Sequence, residues 1–132
     1  MKRVTAVLLI VTLVMSMAGP CTAAVQPRYT YIASAGAELE IDQTWGIASF
    51  QGWVTAKDEY PVKVVVTLQV YKNESWQTVK TWQDEGVFGL YVESQYAVYR
   101  GYPYRINVLC YVYDDAGNTL ETLSVFDYAN YY

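Results

Sequence analysis

The sequence predicts an all-β fold, an antiparallel β-sandwich of seven or eight short strands, and three observations carry that expectation. Beyond the first stretch, apolar residues recur with a period of two and no segment shows a helical period. The β-rich runs are short and are separated by clusters of Gly, Pro, Asn and Asp at sandwich-like intervals. The chain also holds 14 tyrosines with many valines and threonines, residues that suit a pleated, half-buried surface better than a helix.

The elements follow in order. Tyr29–Ala33 reads as a first strand, which Gly36 interrupts. In Ala37–Asp42, Leu39 and Ile41 share one face while Glu38, Glu40 and Asp42 share the other, the mark of a half-buried strand. Ile47–Ala56 places Ala48, Phe50 and Val54 inward, and Gly52 at the same parity would let a facing chain approach closely. Lys57-Asp58-Glu59-Tyr60-Pro61 is a polar turn. Val62–Lys72 is the clearest strand. Val62, Val64, Val66, Leu68 and Val70 lie on one side and Lys63, Val65, Thr67, Gln69 and Tyr71 on the other, so a one-residue slip would expose the whole inner set. Asn73-Glu74-Ser75 turns the chain into Trp76–Trp82, and Asp84-Glu85-Gly86 turns it again.

Phe88–Val98 is the next strand, with Leu90 and Val92 inward. After Arg100-Gly101-Tyr102-Pro103, the run Tyr104–Tyr113 alternates Tyr104, Ile106, Val108, Cys110 and Val112 with Arg105, Asn107, Leu109, Tyr111 and Tyr113. Asp114–Asn118 is a hairpin signal, because Gly117 and Asn118 tolerate positive φ. Thr119–Phe126 closes the sheet. Leu120 and Leu123 have opposite parity there, which a β-bulge would reconcile. Asp127–Tyr132 is left as an aromatic tail outside any strand.

Seven or eight strands in about a hundred residues fit an immunoglobulin-like sandwich. Tyr104 follows a turn at the start of a late strand, so it is a candidate tyrosine corner, its hydroxyl bonding back to upstream backbone; the plain alternative is an ordinary half-buried strand tyrosine.

The first 24 residues read differently. Lys2 and Arg3 precede an apolar run from Val4 to Met17, then the breaker Gly19-Pro20 and the small residues Cys21, Thr22, Ala23 and Ala24. That is the layout of a cleavable signal peptide helix, and the run falls short of the roughly 20 apolar residues of a membrane anchor. Cleavage is expected after Ala24, or one residue earlier, so residues 1–24 form the signal and residues 25–132 a single domain. Pro20 ahead of Cys21 argues against lipid attachment there. The C-terminus, Ala129-Asn130-Tyr131-Tyr132, carries no wall-sorting motif, so the expected location is secreted and extracellular. Loss of Lys2 and Arg3 leaves seven basic against 13 acidic residues, a net charge of −6. Such a chain is a poor binder of nucleic acid and of anionic membranes.

Several groups of residues resemble a set of small secreted Gram-positive bacterial proteins of unknown function. They are Arg28-Tyr29-Thr30-Tyr31-Ile32, the run from Val64 through Tyr71-Lys72-Asn73 to Ser75-Trp76, Thr78-Val79-Lys80 and Trp82, then Gly101-Tyr102 with Tyr104-Arg105, and finally Val112-Tyr113-Asp114 with Gly117-Asn118 and Leu120-Glu121-Thr122. The resemblance spans Arg28 to Phe126 and implies secretion and an immunoglobulin-like sandwich, with no activity and no site residue to carry over. Phe50 is larger than the inward residue it implies at that position.

The chemistry-bearing residues are sparse. The chain has no histidine, which removes a Ser–His–acid or Cys–His apparatus and leaves Cys110 as a small buried hydrophobe. Carboxylates and one thiol make a poor zinc set, and no Gly-rich phosphate loop precedes a helix. Glu38, Glu40, Asp84 and Glu93 could pair for glycoside hydrolysis, but they sit on polar faces or turns. Asp114, Asp115 and Asn118 offer oxygens to calcium without the loop of an EF-hand, so a plain turn explains them better. No catalytic residue, cofactor or metal is expected.

The aromatic residues are the stronger hint. If Val62–Lys72 and Tyr104–Tyr113 are sheet neighbours, their outer faces gather Val65, Tyr71, Leu109, Tyr111 and Tyr113, with Trp76 and Trp82 at the border. Such a platform can stack sugar rings or dock a protein, or only strengthen the sheet through cross-strand pairs. The expected function is a non-catalytic binding module for an extracellular protein or cell-wall polysaccharide. The alternatives are a secreted carbohydrate-active enzyme with paired carboxylates and a diffusible extracellular effector.

Overall fold

The computed structural model describes residues 29–132; the expected signal peptide and its expected cleavage site, Cys21 included, lie outside the described residues. Seven strands run as β1 (Ile32–Asp42), β2 (Ile47–Ala56), β3 (Pro61–Lys72), β4 (Ser75–Val87), β5 (Gly89–Ala97), β6 (Tyr102–Tyr113) and β7 (Thr119–Tyr131). They form two antiparallel sheets, one ordered β1-β2-β5 and the other β4-β3-β6-β7.

The inner residues of both sheets make one core. Val62, Val64, Val66 and Leu68 of β3 and Tyr104, Ile106, Val108, Cys110 and Val112 of β6 are buried against Ala48, Phe50 and Val54 of β2. Each fully buried Val, Leu or Ile contributes about 1.5–3 kcal/mol. The layers approach closely at Gly52, where a Cβ would lie 2.8 Å from both methyls of Val108 and 2.9 Å from a methyl of Val66. Phe50 fits inward because the Trp82 ring meets it from β4, at 4.5 Å between centroids. Burial pushes the Cys110 thiol up to about 12, which keeps it protonated and inert.

Three boundaries differ from the sequence expectation. The first two expected strands are one, because Gly36 stays within β1, where it makes room for the Trp53 indole on the neighbouring strand; a Cβ at 36 would lie 2.0 Å from that ring. Asp84-Glu85-Gly86 does not turn. It continues β4 opposite Val64, Lys63 and Val62, and the chain changes sheets at Phe88. There φ is 71°, the Phe88 amide donates to the Tyr60 carbonyl, and the Phe88 carbonyl accepts from Ala56. The aromatic tail belongs to β7, which pairs with β6 as far as Tyr131. Ala129 packs against the core and Tyr131 is buried in it. The expected bulge lies at Leu120, between the pairs Val112–Glu121 and Tyr113–Thr119.

That bulge sets the parity of β7 so that Glu121 and Asp127 share the inward side with Leu123 and Val125. Both carboxylates reach β1, the edge of the other sheet. Glu121 accepts from the amides of Thr30 (2.9 Å), Tyr31 (3.1 Å) and Ile32 (2.8 Å), and Asp127 from that of Leu39 (2.8 Å). Charged side chains thus satisfy edge donors that would otherwise lack a strand partner. Burial raises the Glu121 pKa, but the three amides and Lys57 outweigh it and hold the carboxyl below its usual value.

Tyr104 forms the tyrosine corner. Its hydroxyl donates to the Tyr99 carbonyl at 2.7 Å and accepts from the Tyr99 amide at 2.9 Å, tying the β5–β6 connection to the start of β6.

Candidate functional site

The outer face of the four-stranded sheet carries the aromatic residues singled out from the sequence, but not as one patch. Pairing of β3 with β6 is antiparallel and sets Lys63 opposite Tyr111 and Gln69 opposite Arg105. Tyr71 therefore stands at one end of the face and Tyr111 with Tyr113 at the other, eight residues or roughly 26 Å apart at strand rise.

At the Tyr71 end, five side chains from all four strands converge. The two-residue turn at Asn73 and Glu74, both at positive φ, folds β4 back so that Trp76 pairs with Tyr71, ring centroids 5.2 Å apart. Trp76 in turn meets Tyr128 of β7 at 6.0 Å, and Tyr128 stacks with Phe126 at 6.5 Å. The Arg105 guanidinium lies in the middle, 4.4 Å from the Trp76 ring centroid and 5.0 Å from that of Phe126. Its Nε donates to Gln69 Oε1 at 2.7 Å, which fixes the plane of the fork. Two cation–π contacts and one hydrogen bond hold a long side chain in a single pose. Tyr71, Phe126 and Tyr128 stay exposed, 41%, 41% and 57%.

At the far end, Tyr111 and Tyr113 stack 5.9 Å apart with Lys63 over Tyr111 at 5.8 Å. Both are half-buried. Val65 and Leu109 pair at the next outward position from Lys63 and Tyr111, nearer this end than the Tyr71 end.

Trp82 is not on this face. Six residues separate it from Trp76, so an unbroken strand would point both the same way. The register shifts between Leu68 and Gln69, leaving Val79 as the extra residue on β4 and reversing parity along the strand. Trp82 consequently turns inward and fills the gap between β4 and β5, against Phe50 and against Tyr96 at 5.9 Å.

Arg105, Phe126 and Tyr128 were missing from the sequence-derived patch. Arg105 already alternated onto the outer face, and its proximity to Trp76 required the strand order. Phe126 lies within the expected last strand, but its outward facing follows from the bulge at Leu120, and Tyr128 belongs to the tail that the sequence leaves outside any strand.

The acidic residues considered for glycoside hydrolysis also separate. Glu38, Glu40 and Glu93 share the outer face of the three-stranded sheet, in a shallow depression of about 480 Å³ with Ser49, Gln51 and Gln95, while Asp84 lies on β4 of the other sheet. All four are exposed, and a general acid acting near neutral pH needs burial. In the β6–β7 turn both Asp114 oxygens are taken by Asn118, through its amide N–H at 2.8 Å and its side-chain NH₂ at 3.1 Å, which lowers the Asp114 pKa. Among the described residues no group of three His, Cys, Asp or Glu side chains is arranged to hold a metal ion.

The side where β4 and β5 face each other is only partly filled. Beside Trp82, between the β3–β4 hairpin and the β5–β6 connection, a cleft of about 460 Å³ opens. Val70, Val79 and Tyr102 line it from one sheet, Tyr96 from the other, and Val98 and Tyr99 from the connection.

No protein-family model matches this chain, and a search of curated proteins finds no match.

Proposed function

We propose that this chain is a non-catalytic, immunoglobulin-like binding module, secreted or held at the cell surface after removal of residues 1–24, that engages an extracellular protein or cell-wall polysaccharide. The layout of the first 24 residues and the resemblance to small secreted Gram-positive proteins support export. Seven antiparallel strands divided three and four, with a tyrosine corner at the start of β6, support the immunoglobulin-like reading.

One observation carries the binding reading: the Arg105 guanidinium in contact with both the Trp76 and the Phe126 ring, with Tyr71 and Tyr128 exposed beside it. Trp, Tyr and Arg are the residue types that dominate binding energy at interfaces. Their mutual stacking lowers the rotamer entropy that a partner's arrival would otherwise cost. The exposed ring faces suit either the apolar face of a sugar or an apolar protein side chain.

The test compares two double variants in binding to purified cell-wall polysaccharide and to cell-surface protein extracts. Trp76→Ala with Phe126→Ala should weaken binding by at least about 30-fold, the scale of a hot-spot loss of ~2 kcal/mol or more. Tyr111→Ala with Tyr113→Ala should leave it within about twofold. Equal binding by both variants would dismiss the Arg105 cluster as the docking surface.

A further inference from the structure

We infer that the cleft between β4 and β5 binds a small organic anion with an aromatic body. This site is separate from the outer-face cluster, on the other side of the β3–β4 hairpin: Tyr71 and Trp76 point outward, while Val70 and Lys72 share the inward parity. Its size and lining are those of a small-molecule pocket, about 460 Å³ of mostly apolar and aromatic wall with a few polar groups. Trp82 stops the gap on one side, so the cleft continues the core surface without opening into it.

Charge decides the class of ligand. The chain is acidic overall, 13 carboxylates against nine cations, yet among the described residues no carboxylate lines this cleft; Lys72 lines it, and Lys80 stands against Tyr96, one of its walls. Lys72 Nζ sits 5.1 Å over the Tyr102 ring, and Lys80 Nζ sits 5.6 Å over the Tyr96 ring. An anion at the rim meets Lys72, while its apolar body replaces water against Val70, Val79 and Val98. The tyrosine rings favour a flat aromatic body, which can pack offset or edge-on against them. The walls are fixed beforehand, since the Tyr104 hydroxyl holds both backbone groups of Tyr99 and Gln77 Nε2 donates to the Lys72 carbonyl at 3.0 Å.

The probes are 2-naphthoate, 2-naphthol and 2-naphthylmethylammonium, titrated into isotope-labelled protein and followed by NMR. The expected result is saturable binding of 2-naphthoate with shifts confined to residues 70–80 and 96–104, and with the Trp76 indole N–H unmoved. The cation should bind at least fivefold more weakly. Lys72→Met keeps the apolar stem and should weaken the naphthoate at least threefold while leaving 2-naphthol unchanged; raised salt should do the same. Absence of saturable shifts at millimolar naphthoate, shifts centred on Trp76 and Tyr128, or equal binding of anion and cation would each overturn the inference. Because the signals of the two sites are distinct, failure here and failure of the outer-face reading are separable.

Discussion

Replacing Gly52 with alanine tests how closely the two sheets pack. The glycine has no positive φ, so alanine is allowed by the backbone, and the substitution would add stability of ~0.4–1 kcal/mol through the unfolded chain alone. Packing opposes it. The new methyl would start 2.8 Å from Val108 Cγ1 and Cγ2 and 2.9 Å from Val66 Cγ2. Both valines are fully buried and stiff at χ1, so neither can swing aside. Overpacking of this kind costs about 1–3 kcal/mol, which leaves a net loss of roughly 1–2 kcal/mol after the unfolded-state gain. For a domain of this size that corresponds to a Tm lower by about 5–12 °C. Val108→Ala alone should also destabilise, through its cavity. Combined, the two changes should cost less than their sum by at least ~0.5 kcal/mol, because the added methyl occupies the vacated space. Urea denaturation of the four proteins measures all terms of the cycle. A Gly52→Ala protein as stable as its parent, or strict additivity with Val108→Ala, would refute this packing of β2 on β6.

Two further outcomes follow from the hydrogen bonds between elements. Glu121→Gln should lower stability at neutral pH by about 1–3 kcal/mol, since one carboxylate serves three amides. The folded Glu121 pKa lies below its usual value, so its contribution is complete above the ordinary glutamate range and fades as pH falls through the folded value. Urea midpoints from pH 7 down to 2.5 should therefore slope less in the Gln variant, and parallel slopes would contradict the clasp. Tyr104→Phe keeps the ring but strips the hydroxyl from both Tyr99 backbone groups, at about 1–3 kcal/mol. Hydrogen exchange at the Tyr99 amide should accelerate more than at Val108, and equal acceleration of both would argue that the corner does not hold that loop.

Legibility in the sequence followed burial. β2, β3 and β6 are flanked by a strand on each side and buried on one face, so water on the outside and core on the inside impose the period of two that the sequence displays. At edge strands the rule weakens. Asp84-Glu85-Gly86 and Asp127–Tyr132 carry residues typical of turns, yet both run on as strand. A partner strand supplies the ladder for each, and for Asp127 an amide of the other sheet supplies a use for the charge. The candidate site shows the same division. Tyr71 and Trp76 flank one hairpin turn, and their meeting could be read locally. Arg105, Phe126 and Tyr128 join them only through the order β4-β3-β6-β7.

By itself the chain determined its class: alternating apolar residues and turn-forming clusters leave two pleated layers as the way to exclude water without a cross-link. Tertiary structure alone decided which outward residues meet. Strand direction moved Tyr111 and Tyr113 to the far end of the face, and one extra residue at Val79 turned Trp82 from surface to interior. The first depends on the order and direction of strands distant in sequence, the second on one unpaired residue in the β3–β4 ladder, and neither can be read from the alternation of a single strand.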